Sequence, residues 1–376
     1  MFNFIDLGNG LINVALLLVI LVALVVIHEF GHFLVARRTG VKVHEFGIGF
    51  PPRAATYYTD KKGTAWTLNW LPIGGFVRME GEEGESDDPH SFVRQRLPTR
   101  LAILLAGVGM NILLAFVIFT GIAWLGDPVA NVRIAHVQDN SPAASVGLTG
   151  GQPTGASDAQ GNPTYDNTGD VITAIDGKQF LLFDHVDQAT PSLDYLRSHA
   201  GQQVILSVQS ADGSSRDVPV TLRTDTSQGA LGVIIQPELV QATAAHDLPT
   251  AITLGFQRTV DAATLILRGL GDLIGNIANP PVAGPVGIVG AIGQVRANLP
   301  PVYLIWFIGL LSANLAIVNA LPFPPLDGGR VAVSLIQAAT GNRIGEAAER
   351  LVYLTGFIAL MALLVWVTFN DIQRLT

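Results

Sequence analysis

Residues 10–27 carry no charged side chain, and the run ends directly in His28-Glu29-Phe30-Gly31-His32. An apolar stretch of that length can cross a bilayer. Backbone inside hydrocarbon must satisfy its own hydrogen bonds, which leaves a helix as the conformation for a single segment. On that helix His28 and His32 lie four residues apart and share a face, with Glu29 beside them. The spacing predicts a zinc site with two histidine ligands and a glutamate base. Two imidazoles and a carboxylate at the edge of hydrocarbon are costly unless they bind something. The bland alternative is a helix end meeting headgroups and water, and a second polar cluster in another apolar segment weighs against it.

That cluster is Asn319-Ala-Leu-Pro-Phe-Pro-Pro-Leu-Asp327-Gly328-Gly329-Arg330, which ends an apolar run over 301–321. Proline cannot continue a hydrogen-bonded helix, and open backbone at membrane depth survives only where protein or water covers it. Asp327 can supply the third ligand that two histidines lack, leaving a fourth position open as in catalytic zinc sites. Glu29 would then move a proton from water to the departing amide nitrogen. Asn319 could hold substrate backbone or an oxyanion; interhelical hydrogen bonding is the plainer role for it and for Asn314.

Composition supports a membrane protein: only 14% of residues are charged, against roughly 25% in soluble domains. Cysteine is absent, so any metal must be held by His, Asp or Glu. A net charge of −8 gives no reason to expect nucleic-acid binding. The first apolar run lacks a basic start and ends in the histidine motif, so it reads as a helix and not as a cleaved signal.

Four crossings are expected, at 11–33, 101–125, 301–321 and 351–369. A stretch at 254–277 contains Arg258, Asp261, Arg268 and Asp272 and reads as an amphipathic helix along the surface. The segment 34–100 has ten Lys or Arg, whereas the longer 131–250 has five. The positive-inside rule therefore places 34–100 and 322–350 in the cytoplasm and 126–300 outside, with the histidine motif near the cytoplasmic end of its helix.

The outward region begins with a small module. Strand character appears at 132–137, 171–175, 204–209, 218–222 and 231–235, with helices at 192–199 and 142–146. The stretch 149–169 is dominated by Gly, Pro, Asn, Thr and Asp and reads as a long exposed insertion or flexible loop. On the cytoplasmic side, Leu71-Pro-Ile-Gly74-Gly75-Phe-Val-Arg-Met79 is apolar but too short to span. With residues 67–70 it could form strands that dip toward the site, and an exposed edge could pair with an unwound substrate. A plain amphipathic hairpin on the membrane surface is the alternative.

Together these motifs resemble the site-2 protease family of intramembrane zinc metalloproteases, in its bacterial branch with PDZ domains, similar to the regulator of sigma-E protease. The resemblance rests on HEFGH at 28–32, PIGGFVRMEGE at 72–82, AGVGMN at 106–111, GPVGI at 284–288 and NALPFPPLDGG at 319–329. It implies that His28, His32 and Asp327 bind one Zn2+ per chain and that Glu29 is the catalytic base. It also implies substrate handling by Asn319 and Pro322 and a membrane-associated hairpin at Gly74–Gly75. The outward module resembles a PDZ domain through 140–148 and 169–177, pieces that are nearly adjacent in family members and here are parted by 149–168. Val108 stands where the family usually has proline.

The expected fold is a polytopic α-helical membrane protein with about four transmembrane helices, a membrane-associated β-hairpin or sheet and one extracytoplasmic PDZ-like domain. The expected divisions are an N-terminal membrane core (1–125), the PDZ-like domain (126–240, insertion 149–168), an amphipathic linker (241–300) and a C-terminal core (301–376). The resemblance implies an endopeptidase in a bacterial plasma membrane, its active site toward the cytoplasm. Its implied substrates are single-span membrane proteins, such as anti-sigma factors or signal-peptide remnants, with an upstream site-1 protease acting first. Two other readings compete: a membrane-tethered PDZ adaptor with a non-catalytic metal site, and a transporter with broken helices at 314–325.

Overall fold

The structure, a computed structural model, describes residues 4–82, 86–129, 131–157, 163–179, 191–225, 227, 229–238, 243–275, 283–341 and 346–375. The expectations at 158–162 of the insertion and at 276–277 of the amphipathic stretch lie outside them. The chain forms two compact units, 1–120 with 255–376, and 121–254.

The larger unit begins with α1 (Phe4–Arg38), then β1 (Val43–Thr59), β2 (Ala65–Met79) and α2 (Leu97–Leu125). The second unit holds β3 (Asp127–Pro128), β4 (Asn131–Val137), α3 (Pro142–Ser145), β5 (Pro153–Ser157), β6 (Pro163–Tyr165) and β7 (Val171–Ile175). It continues with α4 (Pro191–Ser198), β8 (Gln203–Gln209), β9 (Ser215–Thr221), β10 (Val233–Glu238) and β11 (Thr243–Ala244). The chain then runs through α5 (Leu248–Gly275), α6 (Pro285–Asn298), α7 (Pro301–Ala320), α8 (Asp327–Thr340) and α9 (Glu346–Leu375).

Among the described residues four helical stretches are long and apolar enough to cross a membrane: 8–38, 97–125, 301–320 and 347–374. They are the four expected segments, mostly extended by polar turns at their ends. The shortest has 20 residues, which at ~1.5 Å per residue just matches a hydrocarbon core of ~30 Å. It stops at Ala320 because Pro322, Pro324 and Pro325 offer no amide hydrogens. Helix α5 is amphipathic: Gly255, Arg258, Thr259 and Ala262 form one buried stripe. Gly255 touches α2 so closely that a Cβ there would stand 2.0 Å from Thr120 Oγ1.

The sheet beside α1 is more than a hairpin. Residues 45–48 pair with 75–78 in the opposite direction (Glu45 with Arg78, Ile48 with Gly75) and also with 65–68 in the same direction (Glu45 with Ala65, Ile48 with Leu68). Residues 65–68 in turn pair with the far half of β1 (Ala65 with Thr59, Leu68 with Ala55). The order is therefore 55–59, 65–68, 45–48, 75–78, with 75–78 at one edge. Glu45 is the buried fastener of this sheet. It receives Thr67 Oγ1 at 2.8 Å and pairs with Arg53 at 2.7 Å and Arg78 at 3.1 Å. Phe33 of α1 packs edge-on against Phe46 and Trp66, within the apolar cluster that also takes in Val77, Ile103 and Leu104. That cluster holds the sheet on α1 and α2 next to the histidine motif.

In the second unit a five-stranded sheet has the order β10-β4-β7-β8-β9. Its core takes alternate residues of β8 (Val204, Leu206 and Val208), as a half-buried strand presents, and Ile134, Ile172 and Ile175 from the more fully buried β4 and β7. The five expected strands and both expected helices form, their ends shifted by at most three residues. Strands β3 and β11 pair (Thr243 with Pro128), so the chain enters and leaves this unit side by side.

Of the two readings of 149–169, an exposed insertion or a flexible loop, the described residues fit the exposed insertion, with β5 exposed along its length. The insertion contains the β5–β6 hairpin, and glycines at its two ends lie flat on β4. Gly151 N donates to Ile134 O at 3.2 Å, and a Cβ at Gly169 would fall 2.0 Å from that same oxygen. Tyr165 stacks on His136 at 5.4 Å. At Gly150, Gly151 and Gly169 the absence of a side chain serves close backbone approach, not freedom.

Candidate active site

Helix α1 carries His28 and His32 on one buried face, 5% and 6% exposed. Their Nε2 atoms lie 3.1 Å apart. Asp327, the first residue of α8, places Oδ2 2.8 Å from His28 Nε2 and 3.3 Å from His32 Nε2. Three donor atoms thus form a triangle with edges of 2.8, 3.1 and 3.3 Å. Ligands about 2.0–2.1 Å from a tetrahedral zinc stand roughly 3.3–3.4 Å apart. The triangle is slightly contracted from that spacing, so the distances and the donor types fit a zinc ion.

His28, Glu29 and His32 also form a group able to hold a metal, their ligand atoms within 4.8 Å of one another. Two carboxylates therefore compete for the third position. The contacts favour Asp327, whose Oδ2 touches both imidazoles; Glu29, His32 and Asp327 all line the adjoining cavity. Burial by itself would raise the Asp327 carboxyl; the two imidazoles facing it hold it well below the usual carboxylate range, in the ionised form a cation needs.

The sequence motifs explain how α8 reaches α1. A Cβ at Gly328 would lie 2.2 Å from Ala320 O, and one at Gly329 2.5 Å from Pro324 N. The two glycines let the first turn of α8 fold back onto the proline turn after α7, which presents Asp327. Asn319 lies in the last turn of α7 and Pro322 in the proline turn that follows, and both lie outside the cavity lining.

Helix α2 closes the site from behind, a role that the sequence motifs leave unspoken. Its Gly107 lies so near both imidazoles that a Cβ would stand 2.5 Å from His32 Nε2 and 2.6 Å from His28 Nε2. One turn earlier, Ile103 O accepts the hydrogen of His32 Nδ1 at 2.7 Å. Gly31 of α1 packs equally close, with a Cβ position 2.4 Å from Ala106 O. The AGVGMN motif was the available signal, but its glycines announce close approach without naming the partner.

A cavity of about 510 Å³ opens beside Glu29, His32 and Asp327. One wall is the edge strand Gly75, Phe76, Val77, Arg78 and Met79, and Phe50, Pro51 and Leu104 line it elsewhere. Gly75 sits against α1: a Cβ would be 3.3 Å from Val26 Cγ2 and 3.8 Å from Glu29 Cγ. Gly74 has φ +76° and turns the chain beside the Phe50 ring. At the rim Arg330 Nη1 donates to Glu82 Oε1 at 2.6 Å. Burial opposes the Arg330 charge, and the Glu82 carboxylate outweighs it, raising the guanidinium above its ordinary range.

The chain matches Peptidase family M50 over residues 16–363. It belongs to that family. It is 28% identical over 439 residues to the zinc metalloprotease RasP of Geobacillus kaustophilus, covering 95% of this chain and 97% of the relative. The RasP of Oceanobacillus iheyensis is 26% identical over 437 residues, covering 94% and 96%. A Clostridium perfringens protein, provisionally named a zinc metalloprotease, is 32% identical over 357 residues, covering 93% and 95%.

The M50 chain is therefore a multi-pass membrane zinc metalloendopeptidase that carries one Zn2+. Membership decides for the enzyme over the adaptor and the transporter.

Proposed function

We propose that His28, His32 and Asp327 hold the zinc and that Glu29 is the general base for hydrolysis of single-span membrane proteins. The convergence of Asp327 Oδ2 on both Nε2 atoms carries this reading, because it joins residues 299 positions apart in the chain. Bound zinc supplies Lewis-acid polarisation of the scissile carbonyl and acidifies water. Glu29 takes a proton as water oxygen bonds to the carbonyl carbon, then delivers it to the amide nitrogen as the C–N bond breaks.

A transmembrane helix hides its carbonyls in hydrogen bonds, so the substrate must unwind. The edge 75–78 beside Glu29 can receive it as an added strand. Phe50, Tyr57, Tyr58, Leu68, Trp70 and Leu71 are exposed on the same sheet, which suits a surface that touches lipid. Asn319, in the last turn of α7, and Pro322, in the turn that presents Asp327, handle the substrate beside the site. Gly74 and Gly75 keep the strand close to α1.

Basic-residue placement supports a plasma-membrane protein with the site toward the cytoplasm and 126–300 outside. The five-stranded sheet with its two short helices supports a PDZ-like identity, its edge strand β10 reading new C-termini left by an upstream protease. The test is purified, metal-quantified protein with a panel of single-span substrates, beside Glu29→Gln. Cleavage by the parent alone, at equal zinc content, is expected; equal cleavage by both removes Glu29 from its role.

A further inference from the structure

For both Nε2 lone pairs to face a cation, each ring must carry its proton on Nδ1. His32 meets this requirement through Ile103 O, a group that can only accept. Among the described residues His28 Nδ1 has no backbone carbonyl partner of that kind. Its Nδ1 faces the side-chain amide of Asn111, with Nδ2 at 3.4 Å. Asn111 is 0% exposed, and its Oδ1 is buried without a hydrogen-bond partner. A donor facing a donor, with an acceptor idle beside it, satisfies neither group. The two ends of an amide are nearly equal in size. Turning it over sets Oδ1 against His28 Nδ1–H and provides for both.

We propose that Asn111 is a positioning residue that accepts the Nδ1 hydrogen of His28 and thereby fixes its tautomer and ring plane. It does for His28 what Ile103 O does for His32. The acceptors lie two turns apart on α2 with Gly107 between them, so a single helix face serves both rings. Ser312 Oγ donates to Asn111 O at 2.8 Å and ties that turn of α2 to α7. Asn111 neither binds zinc nor meets substrate in this arrangement. The inference rests on the assignment of His28 and His32 as ligands.

The experiment compares the full-length parent in detergent with Asn111→Leu, which keeps the volume and removes the acceptor, and Asn111→Asp, which keeps an acceptor. Zinc affinity is read by chelator competition and ligand geometry by the visible bands of the Co2+-substituted proteins. We expect Asn111→Leu to bind zinc roughly 10–100-fold more weakly, with shifted Co2+ bands. Asn111→Asp should stay near the parent in both. In the zinc-loaded parent, 15N spectra of labelled histidines should place the His28 proton on Nδ1, a readout that needs no variant to fold. Parent-like affinity and bands in folded Asn111→Leu, or a His28 proton on Nε2, overturn the role of Asn111. A parent that takes up no zinc overturns the ligand assignment, and this proposal with it.

Discussion

Gly107 faces His28 across the α1–α2 contact with room for hydrogen and nothing larger: a Cβ on the glycine would stand 2.6 Å from the ring Nε2. The same position would be 2.5 Å from His32 Nε2, so one methyl group would push into both rings at once. Gly107→Ala should lose zinc, since overpacking of ~1–3 kcal/mol would have to be relieved by turning the rings or parting the helices. Zinc per chain in a folded, monodisperse preparation is the measurement. Activity should fall at least about 100-fold, as for misplacement of a reacting group.

The two carboxylates beside the histidines should separate by metal content. Asp327→Asn removes the charge that contacts both imidazoles and should deplete zinc at micromolar supply. Glu29→Gln should retain it and lose about 10²–10⁴-fold in turnover. Metal analysis of the two variants side by side decides the assignment. Depletion in Glu29→Gln with zinc kept in Asp327→Asn would reverse it.

The Glu82–Arg330 pair joins the loop after the edge strand to the turn of α8 that begins with Asp327. Both side chains are mostly shielded, at 15% and 28% exposure. Loss of one partner from such a pair costs up to ~3–5 kcal/mol when fully buried, so a somewhat smaller loss is expected here. Glu82→Gln and Arg330→Met should each lower the melting temperature and turnover. The double variant should recover part of the loss in a double-mutant cycle. Strict additivity would show the pair to be uncoupled.

Gly75→Ala should leave zinc in place and impair cleavage. Its Cβ would meet Gly47 O at 3.1 Å and Val26 Cγ2 at 3.3 Å, shifting the edge strand from its place beside Glu29. A fall of roughly 10–100-fold in kcat/KM at full zinc occupancy is expected. Parent-like kinetics would mean that the strand gives way without consequence.

At the far end of the unit, Asp371 of α9 accepts from Gly287 N at 2.8 Å, at the start of α6. A carboxylate there satisfies an orphan amide and complements the helix dipole. Asp371→Ala should lower stability by ~1–2 kcal/mol in thermal melts while leaving zinc content unchanged. It also accounts for GPVGI: Cβ atoms at Gly284 and Gly287 would stand 2.8 and 3.2 Å from the Asp371 carboxylate.

What the chain declares by itself is whatever a local period or a side chain's chemistry can carry. The charge-free run before His28, the three later spans and the strand-forming runs 132–137 and 171–175 are marked by residue types within a few positions, so they are readable in place. The pairing of His28 and His32 needs only the pitch of a helix, and Asp327 could be matched to them because an ionisable group after a proline break in an apolar segment calls for a partner. Tertiary structure decided the rest. Residues 45–48 pair on both sides with strands from elsewhere, and Gly47, Gly49, Pro51 and Pro52 interrupt any strand period. Ile103 serves through a backbone carbonyl and Gly107 through having no side chain, so neither leaves a chemical mark in the sequence. Gly150, Gly151 and Gly169 read as a loose loop because composition cannot distinguish glycine needed for freedom from glycine needed for contact. Close approach is a property of two surfaces, and only the folded chain supplies the second.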